Sequence, residues 1–266
     1  MYSGDTVGGY KKYWILTSFK RNNLQKEAEY MKMRADKLLA HLGYGSRKEV
    51  KGLLKKGILT ADGKAVKDGK THIDTEKQEV EVFGEPVEYR EFIYLMMNKP
   101  SGLVSATEDE TEETVIDLLT PEDALFAPFP VGRLDKDTTG LLLITNDGRL
   151  AHRLTSPKHK VDKEYRVELA EPLTKNAREK LEAGVELDDG YETKPARVTQ
   201  TDAATVIFLT IQEGKYHQVK RMMAACGNHV NELERVRMGT LFLDETLEAG
   251  EYRELTDKEL TVLRGE

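Results

Sequence analysis

The sequence predicts an α+β protein in two parts, a small N-terminal module and a larger domain with a mixed, largely antiparallel sheet. Three observations carry this prediction. Between residues 31 and 84, two short helical periodicities precede a few short strand-like runs. From residue 92 onward, apolar or alternating runs recur with only a few amphipathic helices between them, as expected for a sheet with helices packed on it. Between these parts, residues 85–91 are polar, contain Pro86 and read as a linker.

In the N-terminal module, Ala35, Leu38, Leu39 and Leu42 share one helical face, and Gly43 is a stop signal. Ser46 is a candidate N-cap for a second helix that turns Val50, Leu53 and Leu54 inward and ends near Gly57. Ile58 to Thr60 and the alternating Glu79 to Phe83 are strand-like, with a turn at Ala61 to Lys64. The outward positions carry Arg34, Lys37, Arg47, Lys48, Lys51, Lys55 and Lys56.

Charge is unevenly spread over the 266 residues. Residues 31–70 contain eleven Lys or Arg against four Asp or Glu, a local excess of seven positive charges. The formal total is -7, so the remainder carries a net excess of fourteen negative charges. A basic module on an acidic body fits a local nucleic-acid contact, and it fits a solvated helix face equally well. A single cysteine, Cys226, excludes an internal disulfide framework and a Cys-based zinc site, and the six histidines lack metal-ligand spacing. No apolar run approaches the roughly 20 residues that span a bilayer. These features predict a cytoplasmic protein with no membrane segment, no metal and no cofactor, and a monomer is the default. Residues 1–30 read as a poorly ordered tail, with Met31 and Met33 as alternative starts.

In the larger domain, spanning 92–266, Phe92 to Met97 is a buried strand running into Asn98-Lys99-Pro100-Ser101-Gly102. Residues 105–114 form an exposed acidic loop. Gly140 ends a polar turn, Leu141 to Thr145 is a buried strand, and Asn146-Asp147-Gly148 is a turn. Asp135 therefore lies in a loop feeding a core strand, where a carboxylate can be held rigidly at a cleft, although an Asp there, or at 137, can also merely turn the chain. Lys163 to Leu169, Ala196 to Val198 and Thr205 to Ile211 are further strands. Leu173 to Gly184 is an amphipathic helix, Gln212 to Met223 enters a helix ending near Gly227, and Leu255 to Leu263 is a short closing helix.

Gly132-Arg133-Leu134-Asp135 with Thr139-Gly140-Leu141-Leu142 resembles the nucleophile motif of the RNA pseudouridine synthases, in the branch that carries an S4 RNA-binding domain. The resemblance runs from about residue 33 to about residue 260. It implies an S4 domain (α-L type) at 31–84, a linker at 85–91 and a catalytic domain at 92–266. Tyr191 to Met238, with Gly214-Lys215-Tyr216-His217-Gln218-Val219-Lys220-Arg221-Met222 and Gly227-Asn228-His229-Val230, is similar to the small-subunit (16S) rRNA member of this branch.

The resemblance implies isomerisation of one 16S uridine, of the 516 type, without a cofactor and with RNA or an assembling subunit as partner. It makes Asp135 the catalytic nucleophile and Lys220 its salt-bridge partner, against an ordinary surface lysine. A carboxylate moved into a pocket tends to gain a proton, and a fixed cation opposes that. Tyr165 is the active-site tyrosine, able to stack on a flipped uracil, or else a core residue. Arg133 fills the gap left by the extruded nucleotide, or contacts phosphate or a structural partner. Arg221 is assigned to RNA phosphate, His217 to orienting a loop, and Lys99, Pro100 and Gly102 to the turn under the active-site loop. Two rivals are a non-enzymatic S4 ribosome-binding factor, which has no need of the Asp135 stretch, and a nucleoside hydrolase, which releases free uracil.

Overall fold

A computed structural model describes residues 32–75, 77–87 and 89–265. The expected N-terminal tail lies outside the described residues. These residues fall into two compact units, one comprising the chain up to Glu91 together with Pro121–Phe126, the other Phe92–Thr120 and Ala127 onward.

The first unit opens with β1 (Lys32–Arg34), α1 (Ala35–His41) and α2 (Val50–Lys55). The turn before α2 is closed reciprocally, because the Ser46 hydroxyl and amide both donate to the Glu49 carboxylate while Val50 N–H reaches Ser46 O. There follow β2 (Leu59–Ala61), β3 (Lys64–Ala65), β4 (His72–Asp74), β5 (Val80–Val82) and β6 (Glu85–Pro86). β1 pairs with β4, and the remaining strands form an antiparallel sheet ordered β3-β2-β5-β6. Leu38, Leu39, Val50, Leu54, Leu59 and Val82 bury their apolar faces together, each worth roughly 1.5–3 kcal/mol of transfer free energy.

Residues 85 and 86 correct the expected linker, since they pair with β5; Pro86 is tolerated because β6 is an edge strand. Arg47, Lys48, Lys51 and Lys55 are exposed and Lys37 is partly so. Arg34 differs from the expectation. Its guanidinium lies 2.5 Å from Asp36, a carboxylate that is itself buried, so its charge is spent locally. Within the same unit, α3 (Pro121–Ala124) brings Asp123 to Arg90 at 3.9 Å, and Phe126 lies under that guanidinium.

The second unit is built on one nine-stranded mixed sheet. Its strands are β7 (Tyr94–Lys99), β8 (Phe129–Pro130), β9 (Thr139–Thr145), β10 (Lys163–Leu169), β11 (Arg197–Gln200), β12 (Val206–Ile211), β13 (Val230–Met238), β14 (Leu241–Phe242) and β15 (Tyr252–Glu254). The path runs β11-β12-β10-β13-β9-β7-β15, with β14 on β13 and β8 on β9. Among the described strand pairs of this sheet only β9 with β13 is parallel. The helices are α4 (Gly148–Thr155), α5 (Lys175–Ala183), α6 (Gln218–Ala225) and α7 (Asp257–Arg264).

Five of these elements were not anticipated, the short β8, β14 and β15 together with α4 and β13. α4 follows the predicted turn because the Asp147 carboxylate caps it, accepting from the amides of Arg149 and Leu150. β13 carries Glu232, Glu234, Arg235 and Arg237, and this charge masks its alternation. Gly140 is also relocated, from the end of a turn to the second residue of β9.

The C-terminal segment is fastened by Arg253. Its guanidinium donates to Asp244 at 2.6 Å and to Glu259 at 2.8 Å, and Glu259 is also the partner in a capping box with Thr256. Thr246, joined by Arg253, holds the Asp244 carboxyl down at about 2; Arg253, with the Thr256 amide and hydroxyl, does the same for Glu259. Both folded values lie below the ordinary carboxylate range, so the stabilisation is present above about pH 4 and is lost as pH falls toward 2. Arg253→Met is therefore expected to lower the melting temperature at pH 7, and the gap to the parent should close between pH 4 and 2. A gap that stays constant over that interval would show that the two carboxylates are not stabilised through Arg253.

Candidate active site

The site is assembled from the ends of β7 and β9 and the start of α6. β7 ends in Lys99, whose side chain is fully buried. Its ammonium donates to the carbonyls of Pro100 (2.9 Å), Thr138 (3.0 Å) and Lys136 (3.2 Å). Burial pushes this amine down to about 8, while the fields of Asp137 and Asp135 oppose the shift. Gly102 N–H adds a second bond to the Lys136 carbonyl, and φ of +96° at Gly102 makes the turn that delivers it. On the upstream side, the Ser105 hydroxyl donates to Leu134 O and accepts from Leu134 N. The backbone from Leu134 to Thr138 is thus pinned from both ends, with Asp135 between the pins.

Gly140 sets where this loop meets the sheet. At φ of +95°, a Cβ there would stand 2.4 Å from the carbonyl oxygen of Arg235, so only glycine permits the parallel register of Gly140 with Arg235. Arg235 is buried and donates through Nε to Leu141 O at 2.8 Å. Tyr165 lies opposite Arg235 on β10, with 7% of its surface exposed.

The third component is the loop before α6. Glu213 is buried and accepts from Tyr191 Oη (2.6 Å), Gln218 Nε2 (2.9 Å) and Lys194 N (3.0 Å). Burial pushes its carboxyl up, but these donors outweigh it and hold the group below its ordinary value. Gln218 Oε1 accepts from Lys215 N, and His217 then takes a left-handed φ of +48° before the helix begins. One helical turn on, Lys220 Nζ stands 3.6 Å from Asp135 Oδ2 and 2.5 Å from Asp137 Oδ1. His217 Nε2 lies 3.6 Å from Asp135 Oδ1.

Asp135 thus has an imidazole against one oxygen and an ammonium near the other, and its side chain is about one-quarter exposed. Asp137 is the closer partner of Lys220, whose hydrogen bond holds its carboxyl below the ordinary range. This sharing was not anticipated from sequence; the D-K-D spacing at 135–137 is the signal that two carboxylates can face one cation. A part-exposed carboxylate on a pinned loop, with fixed positive charge beside it, is suited to nucleophilic attack or proton abstraction.

The remaining expected residues are dispersed. Arg133 is exposed. Arg221, assigned to phosphate, has its guanidinium held by Asp188 and by Asp189, the latter at 2.8 Å. The acidic loop at 105–114 returns to the site edge, where Glu112 pairs with Lys136 at 2.6 Å. Among the described residues no three His, Cys, Asp or Glu side chains converge as a metal site, and no helix is long and apolar enough to cross a membrane.

The pinned loop can be tested directly. Lys99→Met is expected to speed amide exchange across residues 134–138 at least about tenfold, the equivalent of one lost charge-assisted hydrogen bond, while the core of β9 keeps its protection. Equal exchange in the variant and the parent would show that the loop does not depend on the buried ammonium.

Residues 93–225 match the family model described as RNA pseudouridylate synthase. An uncharacterized RNA pseudouridine synthase of Bacillus subtilis (strain 168) is 59% identical over 87% of this chain and 98% of its own. Ribosomal small subunit pseudouridine synthase A of Vibrio vulnificus is 46% identical, and that of Escherichia coli (strain K12) 41% identical, each over 86% of this chain and 98% of its own. A crystal structure of a pseudouridylate synthase aligns with a TM-score of 0.61 at 38% identity, covering 87% of this chain and 99% of that one. The chain belongs to the RNA pseudouridine synthase family and is an isomerase acting on RNA.

Proposed function

We propose that the protein converts one uridine of small-subunit (16S) rRNA, of the 516 type, to pseudouridine, with Asp135 as the nucleophile. The observation that carries this reading is the Asp135 carboxylate, held on a pinned loop between Lys220 and His217. Similarity to small-subunit synthases over most of the chain supports the choice of RNA.

The reaction breaks the bond from ribose C1′ to uracil N1, turns the base, and joins C1′ to C5, after which C5 loses its proton. Asp135 acts at the ribose, either by adding to C1′ or by taking a sugar proton, and either route begins from the carboxylate. Lys220 keeps positive charge beside it, and Asp137 positions that ammonium. Tyr165 supplies a ring for the flipped uracil and a hydroxyl near the C5 proton. Arg133 occupies the gap left in the RNA, which offsets part of the few kcal/mol that flipping costs. Lys99, Pro100 and Gly102 shape the loop.

The N-terminal unit serves as an S4 domain. Its exposed Arg47, Lys48, Lys51 and Lys55, with Lys37, grip RNA phosphates and supply affinity rather than sequence choice. The enzyme acts as a cytoplasmic monomer on rRNA or on an assembling subunit, without a metal or cofactor.

Tritium release from small-subunit rRNA labelled at uracil C5 tests this reading. The parent should release tritium, and Asp135→Asn should lower the rate by at least about a thousandfold, as removal of a nucleophile does elsewhere. Lys220→Met should cost about a hundredfold in maximal rate, the scale of losing one fixed charge at a reacting group. Free uracil appearing in place of pseudouridine would assign the site to hydrolysis, and an Asp135→Asn protein of undiminished activity would remove the nucleophile assignment.

A further inference from the structure

Tyr216 is the most exposed large apolar or aromatic side chain among the described residues, at 75%. It stands on the loop that delivers Lys220 to the site. Its ring stacks on that of His217, with centroids 3.8 Å apart and planes within 18° of parallel. Adjacent residues seldom place their rings face to face. Here the left-handed φ at His217 turns the chain so that they do.

The surroundings hold this pair in place. Glu213 and Gln218 fix the backbone on either side, and the Tyr216 carbonyl accepts from Arg221 at 3.4 Å. Lys215 is held over the Tyr191 ring at 4.5 Å. An aromatic ring left so open gives the fold little burial in return for its ordering. One face of the ring is covered by His217, and the opposite face is open.

His217 is also the inner ring of this pair, with Nε2 3.6 Å from Asp135. The two rings therefore form a short ladder leading outward from the reacting carboxylate. Its spacing is close to the roughly 3.4 Å rise between successive bases of a nucleic-acid strand. Exposed Lys215, next to Tyr216 in sequence, supplies positive charge for the phosphate of the same nucleotide.

We propose that the stacked Tyr216–His217 pair is a platform for a nucleobase of the RNA flanking the target uridine, so that Tyr216 anchors one neighbouring nucleotide whatever its base. This rests on Asp135 being the reacting carboxylate of an rRNA synthase. The flanking base lies on the open face of Tyr216 while the uridine is turned toward Asp135. Stacking of this kind tolerates any base and fails when the base is missing.

The test uses the full-length protein and C5-tritiated small-subunit rRNA, with tritium release measured against RNA concentration. Tyr216→Ala is expected to raise the half-saturating RNA concentration roughly tenfold to a hundredfold, whereas Tyr216→Phe and Tyr216→Trp should remain within about threefold of the parent. Tyr216→Leu should behave like Tyr216→Ala, and the melting temperatures of all four should match the parent because the side chain packs on little else. In synthetic RNA carrying the mapped site, removing single bases next to the target should weaken the parent at one position and leave Tyr216→Ala unaffected there.

Half-saturation unchanged in Tyr216→Ala, or rescue by Tyr216→Leu as full as by Tyr216→Phe, overturns the stacking role. A loss confined to maximal rate overturns it as well. If the parent itself releases no tritium from this RNA, the rRNA reading fails and the platform falls with it, an outcome separate from an active parent matched by its alanine variant.

Discussion

Lys99 places a charged amine in a fully buried position, and the geometry of the site follows from how that charge is accommodated. Moving an ammonium out of water costs several kcal/mol even after relaxation. Three carbonyls, of Pro100, Lys136 and Thr138, take its three protons, at about 1.5–3 kcal/mol for each hydrogen bond to a charged donor. Two of those carbonyls, of Lys136 and Thr138, belong to the stretch that directly follows Asp135. The loop cannot relax outward without leaving the buried charge unsatisfied, so the Asp135 carboxylate inherits the rigidity of the β7 end.

Positive charge then approaches the same carboxylate from a second direction. α6 begins at an unusual backbone turn, and its first turn brings Lys220 between Asp135 and Asp137. The shorter contact is with Asp137, whose side chain is mostly exposed. This arrangement fixes the ammonium without tying both Asp135 oxygens in close hydrogen bonds. The Asp135 carboxylate stays part-exposed while the ammonium beside it is held in place by a neighbour.

The sheet makes these approaches possible. Its single described parallel pairing, β9 with β13, requires a glycine at 140, because the Arg235 carbonyl occupies the space a side chain would need. On its other side β13 pairs antiparallel with β10, which puts Arg235 opposite Tyr165. A substitution at Gly140 thus acts on the loop that carries Asp135 and on the strand pair that carries Tyr165. Sequence, packing and chemistry meet in that one backbone contact.

Local chemistry by itself determined much of the secondary structure. The apolar run at 141–145, the helical periodicities near 35–42 and 173–184, and the cap and stop residues around them act over a few positions, so they are legible without a fold. Motif residues likewise singled out Asp135, Tyr165 and Lys220 as a group to examine. Tertiary structure decided what those residues touch. Lys220 meets Asp137 across 83 positions, and the Lys99 ammonium reaches the Thr138 carbonyl across 39. Arg221 turns to Asp188, and Glu85 and Pro86 join the sheet instead of the linker. Charge pairing and burial depend on distances between segments remote in sequence, and no periodicity records them. For the same reason α4 and β13 went unseen, the first because its cap lay in a predicted turn and the second because its charged residues find partners only in the folded sheet.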